Sequence, residues 1–115
     1  MTSKDFREKM EKWWEATDAR AMAQKASQGA LVELMKLYKE FDSEEKVQAD
    51  QVLIEWINSK NEKKKFDALA MIDHFKIRSA LKQLHVFQTD ATQRTDPEAP
   101  FDLKKVNRIL KRLEE

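Results

Sequence analysis

Histidine, carboxylate and serine are the side chains with which this 115-residue chain can do acid–base, metal or nucleophilic chemistry, since it contains no cysteine. There are two histidines, His74 and His85, and a helix break expected at residues 76–79 keeps them off one continuous face. Asp73 is the direct neighbour of His74, which puts the two about 100° apart on a helix, the wrong geometry for one shared ion. Neither an H-E-x-x-H pattern nor the paired carboxylate–histidine motif of di-iron bundles occurs, so no metal or cofactor is expected. Most carboxylates stand three or four positions from a Lys or Arg, as in Asp5–Lys9 and Glu8–Lys12, which is the pattern of solvated helix faces; Glu11–Glu15 is a like-charge exception. No two acids share a predicted apolar face on which desolvation would separate their pKa values for acid–base work. Ser3, Ser43, Ser59 and Ser79 all fall at expected helix boundaries, where capping accounts for them. A single glycine excludes a glycine-rich phosphate loop. These residues predict a protein that is not an enzyme.

Binding chemistry has more to work with. Residues 1–59 carry 9 basic and 12 acidic side chains, and residues 60–115 carry 13 basic and 9 acidic, so the chain is mildly bipolar. Lys60, Lys63, Lys64 and Lys65 form the densest basic run, and the outward face of the last helix adds Lys104, Lys105, Arg108, Lys111 and Arg112. Lys63 and Lys64 stand at the start of a helix, where positive charge opposes the macrodipole; local stability prefers acids there, so these lysines point to a use outside the fold. Phosphate contacts dominate nucleic-acid affinity, yet the isoelectric point near 7.9 is below the value above about 9 usual for such domains. Aromatic residues are not interleaved with the lysine run except Phe66, which the pattern assigns to the core. The adjacent Trp13 and Trp14 cannot both point fully into one pocket, so one ring is expected near the rim, where it either completes the core stripe or serves as a partner anchor. The candidate partner-binding residues are therefore Trp13, Trp14, Lys60, Lys63, Lys64, Lys76 and Arg78. A protein partner is the leading expectation. Nucleic acid bound through residues 60–65 and 76–82 is the alternative, and no membrane contact is expected.

Six periodic segments must position these side chains. Phe6, Met10, Trp13, Trp14, Thr17 and Ala21 form one stripe of a helix from about Lys4 to Lys25, with Ser3 as cap and a turn at Ser27-Gln28-Gly29. Leu31, Leu34, Met35, Leu37, Tyr38 and Phe41 cover more than half of a second helix. Asp42 caps a third, which carries Val47, Ala49, Val52, Leu53, Trp56 and Ile57. Asn61 caps a fourth, to about Phe75, with Phe66, Leu69 and Ile72 inward. Ile77 plugs the link to a fifth, capped by Ser79, and helices four and five are expected to pack as a pair. Residues 89–100 hold both prolines and no large apolar side chain, which reads as a loop. Phe101 is expected to staple onto Val106 from outside a sixth helix capped by Asp102. Leu34, Leu37, Leu53, Trp56, Leu69, Ile72 and Leu84 are the predicted core.

The composition, 41% apolar and 37% charged, predicts one folded all-α domain with five or six helices in antiparallel neighbouring pairs. No apolar run reaches the roughly 18 residues of a membrane span, and the charged N-terminal residues do not read as a signal peptide, so a cytoplasmic location is expected. Phe-Asp recurs at Phe41-Asp42, Phe66-Asp67 and Phe101-Asp102 with unequal spacing, a hint of internal repetition. The stretch from Ser59 through Lys65, Phe66, Ala68, Leu69 and Ile72 to Ile77, Ala80, Leu81 and Leu84 resembles the HEAT-type helical repeat. On that resemblance Lys65 stands where the family usually has Arg, and Ala68, Leu69 and Ile72 are interhelical packing positions. It implies a curved stack of antiparallel helix pairs whose exposed helices bind protein or, less often, nucleic acid. The polar insertion before Phe101 departs from regular repeat spacing, so an irregular helical bundle stands beside that expectation.

Overall fold

The computed structural model describes residues 3–25 and 29–114, apart from the side chain of Ser3. The Ser3 cap and the Ser27–Gln28 part of the first turn lie outside the described residues. The chain is all-α: α1 (Ser3–Ala23), α2 (Leu31–Glu40), α3 (Ser43–Trp56), α4 (Glu62–His74), α5 (Leu81–Gln93) and α6 (Ala99–Glu114), with a 3-10 turn at Arg78–Ala80 before α5. It divides into two compact units, Met1–Val52 and Leu53–Glu115. No helix is long and apolar enough to cross a membrane among the described residues.

In the first unit Phe6, Met10, Trp14, Thr17 and Ala21 are all buried, the stripe a helix of period 3.6 presents inward. Leu34, Tyr38, Ala49 and Val52 are buried with them. Gly29 takes φ +56°, and a Cβ there would stand 3.3 Å from Asp18 Oδ1, so both backbone and space call for glycine. Asp42 opens α3 through a reciprocal capping box: Glu45 N–H donates to Asp42 Oδ1 at 2.8 Å and Asp42 N–H donates to Glu45 Oε1 at 3.1 Å. Val47 departs from the expected stripe and is exposed. Leu37, expected in the core, is only partly covered.

In the second unit the Asn61 cap forms as expected, its Oδ1 accepting from the N–H groups of Lys63 and Lys64 at 3.1 and 3.2 Å. The far end of α4 closes in a Schellman turn, with Ile77 N–H donating to Ile72 O at 3.0 Å and Lys76 N–H to Asp73 O at 3.4 Å. The left-handed residue of that turn is Lys76, φ +51°. Ile77 is buried, as a plug should be. Ser79 is no cap: it lies inside the 3-10 turn, and Ala80 precedes α5 without a side-chain hydrogen bond.

Further expectations fail in this unit. The loop at 89–100 shrinks to residues 94–98, because Thr89 and Thr92 donate their hydroxyls to the carbonyls of His85 and Gln88 four residues back, and Ala91 is buried. At the other side α6 begins at Ala99, and Pro100 sits in its first turn, where a missing N–H costs no intrahelical bond. Asp102 is therefore inside the helix and not its cap, and Phe101, instead of stapling, is a helical residue turned outward and 69% exposed. The best-packed pair is α5 with α6, and α4 lies against α6, in place of the expected α4–α5 pair. The core of this unit draws Leu53, Trp56, Leu69, Ile72, Leu84, Phe87, Val106, Ile109 and Leu110 into burial.

Candidate functional site

Two surfaces, one in each unit, bring aromatic and charged side chains together. In the first, Phe6, Met10 and Trp13 of α1, Leu37 of α2, Phe41 and the α3 residue Glu45 surround a cavity of about 120 Å³, with Lys9 also at its wall. Helical spacing builds it: Phe6, Met10 and Trp13 stand at i, i+4 and i+7, and Leu37 and Phe41 at i and i+4. The Phe6 and Phe41 rings meet edge to face at 5.4 Å between centroids, which fixes one wall. Trp13 is the half-buried rim ring and Trp14 the buried one, 2% exposed, so of the two only Trp13 can meet a partner directly. Leu37 escapes the core because it is a wall of this cavity. Beside it, Tyr38 Oη donates to Asp50 Oδ1 at 2.8 Å. Burial and the adjacent Asp50 push the Tyr38 phenol above its ordinary value, and burial raises Asp50 against the opposing effects of Tyr38 and Lys46.

In the second unit the sequence candidates separate. Lys60, Lys63 and Lys64 stand at the start of α4 and Lys76 and Arg78 beyond its end, roughly 18 Å apart along a 13-residue helix, so they do not form one patch. Lys60, Lys63, Lys76 and Arg78 are exposed, while Lys64 lies over the Trp56 ring at 5.3 Å. The fourth lysine of the run, Lys65, is 6% exposed and donates to Asp102 Oδ2 at 3.2 Å and to Glu62 Oε2 at 2.9 Å. Arg94 Nη1 reaches the same Asp102 oxygen at 2.9 Å and its Nε meets Asp96 Oδ1 at 2.8 Å. Burial alone would lower the Lys65 ammonium; its bonds to Glu62 and Asp102 outweigh that and raise it.

Inward rotation of Lys65 turns its neighbour Phe66 outward. Lys65, Ala68, Leu69 and Ile72 follow the i, i+3, i+4, i+7 stripe toward the core, which places Phe66 about 100° away, 48% exposed and not in the core as expected. Lys105 Nζ of α6 lies 4.0 Å from the Phe66 centroid, a close cation–π contact. Phe101 precedes Lys105 by one turn on the same side of α6. Burial lowers the Lys105 ammonium, Arg108 and Lys65 lower it further, and Asp102 and Glu62 oppose them only in part. Sequence reasoning missed this surface; the available signal was the basic outward face of α6 beside an aromatic pair, Phe66 and Phe101, each followed by a buried aspartate.

Among the described residues no three His, Asp or Glu side chains gather as a metal site. No protein-family model, curated protein or solved structure matches the chain.

Proposed function

We propose that the protein is a non-enzymatic, helical-repeat-type interaction module of the cytoplasm that binds a protein partner through the α1–α2 cavity. The observation that carries this reading is the cavity itself. At about 120 Å³ it falls below the several hundred Å³ usual for metabolite sites, yet it accommodates one bulky apolar side chain. Aromatic and aliphatic walls with a charged residue at either side, Lys9 and Glu45, match the anatomy of an anchor pocket with a polar rim. Trp13 is the anchor on this chain's side. The repeat-type reading rests on short links between successive helices and on the resemblance around 59–87. A chain without cysteine forms no disulfide and needs no oxidising compartment, which agrees with a cytoplasmic placement.

The experiment compares wild type with Trp13→Ala. A protein purified on the wild type should bind it stoichiometrically by calorimetry and bind the variant at least about ten-fold more weakly, as for loss of an anchor worth 1.4 kcal/mol or more. A partner that binds both equally, with the variant still folded, overturns this site.

A further inference from the structure

We propose that the α4/α6 face of the second unit binds single-stranded nucleic acid, with Phe66 and Phe101 as base-stacking platforms and Lys104, Lys105 and Arg108 on phosphates. The inference does not rest on the protein-binding reading, which concerns the other unit. Its first observation is the two phenylalanines, 48% and 69% exposed, on neighbouring helices of one unit. Both present ring surface to solvent. The second is charge. Three acids of this unit are held by other cations: Asp102 by Lys65 and Arg94, Asp96 by Arg94, and Asp73 by Arg112. Among the described residues no carboxylate pairs with Lys104, Lys105 or Arg108. At i, i+3, i+4 and i+7, Phe101, Lys104, Lys105 and Arg108 share one side of α6, and Lys105 bridges to the Phe66 ring.

Lys105 thus stands one turn along α6 from Phe101 and in contact with the Phe66 ring of α4, so both rings belong to one basic surface. Stacking on exposed rings beside a basic track is the general chemistry of sequence-tolerant single-strand binding. In the free protein the Lys105 ammonium covers one face of Phe66. A phosphate would draw that ammonium away, relieve the repulsion from Arg108 and uncover the ring. Duplex DNA offers the phosphates but not the base faces, whereas a single strand offers a phosphate and a stacking face at every residue, the combination that exposed rings beside a basic track favour.

The test is fluorescence anisotropy of the full chain with labelled oligo-dT and oligo-rU of about 20 nucleotides, a length beyond one such face. A duplex of the same length and polyglutamate serve as competitors. Single strands should bind in preference to duplex, and log affinity should fall with log salt at a slope of about −2, as for three phosphate contacts. Phe66→Ala and Phe101→Ala should each weaken binding roughly five-fold or more at unchanged slope. Lys104→Glu with Arg108→Glu should flatten the slope. All four side chains are exposed, and an unchanged melting temperature confirms that each variant folds. No binding at low salt overturns the proposal. So does equal affinity for duplex and single strand with no effect of the phenylalanine changes, which is bare charge attraction. Displacement by polyglutamate as effective as by free oligonucleotide also overturns it, and assigns the face to an acidic protein.

Discussion

Removing the charge of Lys65 should unfold more than the second unit's surface suggests. Lys65 and Asp102 are 6% and 8% exposed, 37 residues apart in sequence and 3.2 Å apart between Nζ and Oδ2. Breaking a buried ion pair from one side typically costs about 3–5 kcal/mol, because the remaining charge stays desolvated. Lys65→Met keeps the side-chain volume but leaves Asp102 to Arg94, which still bonds the same oxygen at 2.9 Å, so the expected cost is about 2–3 kcal/mol. Asp102→Leu leaves the Lys65 ammonium with Glu62 alone, a carboxylate 68% exposed and so well screened; about 3 kcal/mol is expected. The double variant has no orphaned buried charge from this pair and should be no less stable than either single one, which makes the coupling at least about 2 kcal/mol. Urea unfolding followed by circular dichroism measures it. Each single change should lower the midpoint by roughly 1–2 M at unchanged slope, and the double change should not lower it further. A coupling below about 0.5 kcal/mol, the level of independent sites, would refute the claim that the pair is one buried unit.

Lys76→Gly should raise stability by about 1 kcal/mol, because φ +51° strains a lysine and suits glycine; a melting temperature unchanged or lowered contradicts this. Gly29→Ala should lower stability by about 1 kcal/mol or more, since φ is +56° and the new Cβ meets Asp18 at 3.3 Å, and thermal denaturation reads it directly. The pH dependence has two edges. Lys65 and Tyr38 have raised folded pKa values, so their contributions are complete below the ordinary values of 10.5 and 10.0 and are lost as pH rises through the higher folded ones; Tyr38→Phe should soften the alkaline fall measured by urea midpoints. The Arg94 guanidinium holds Asp96 down at about 2, so its contribution is complete above the ordinary 3.8 and is lost as pH falls toward 2; Arg94→Gln should remove that acid-side share.

Helix content was legible because every helix buries a stripe whose period is written in its own residues. Phe6, Met10, Trp14, Thr17 and Ala21 can be read without any partner, and caps such as Asp42 and Asn61 act within three residues of themselves. The rim position of one tryptophan of the Trp13–Trp14 pair follows from the 100° step alone. What sequence could not decide was which charged residue turns inward. On α4, Lys65 and Phe66 are a single step apart, and hydrophobicity favours burying the ring. The order reverses because Asp102, far along the chain, meets Lys65 in the interior, and a buried ammonium held by that carboxylate and by Glu62 keeps the register that exposes Phe66. The same contacts make Asp102 an interior residue of α6 and leave Phe101 in solvent. Local periodicity fixes that a segment is helical; the rotation of that helix about its axis is a property of its neighbours. Every candidate surface described depends on that rotation, and so only the tertiary structure decided where those surfaces lie.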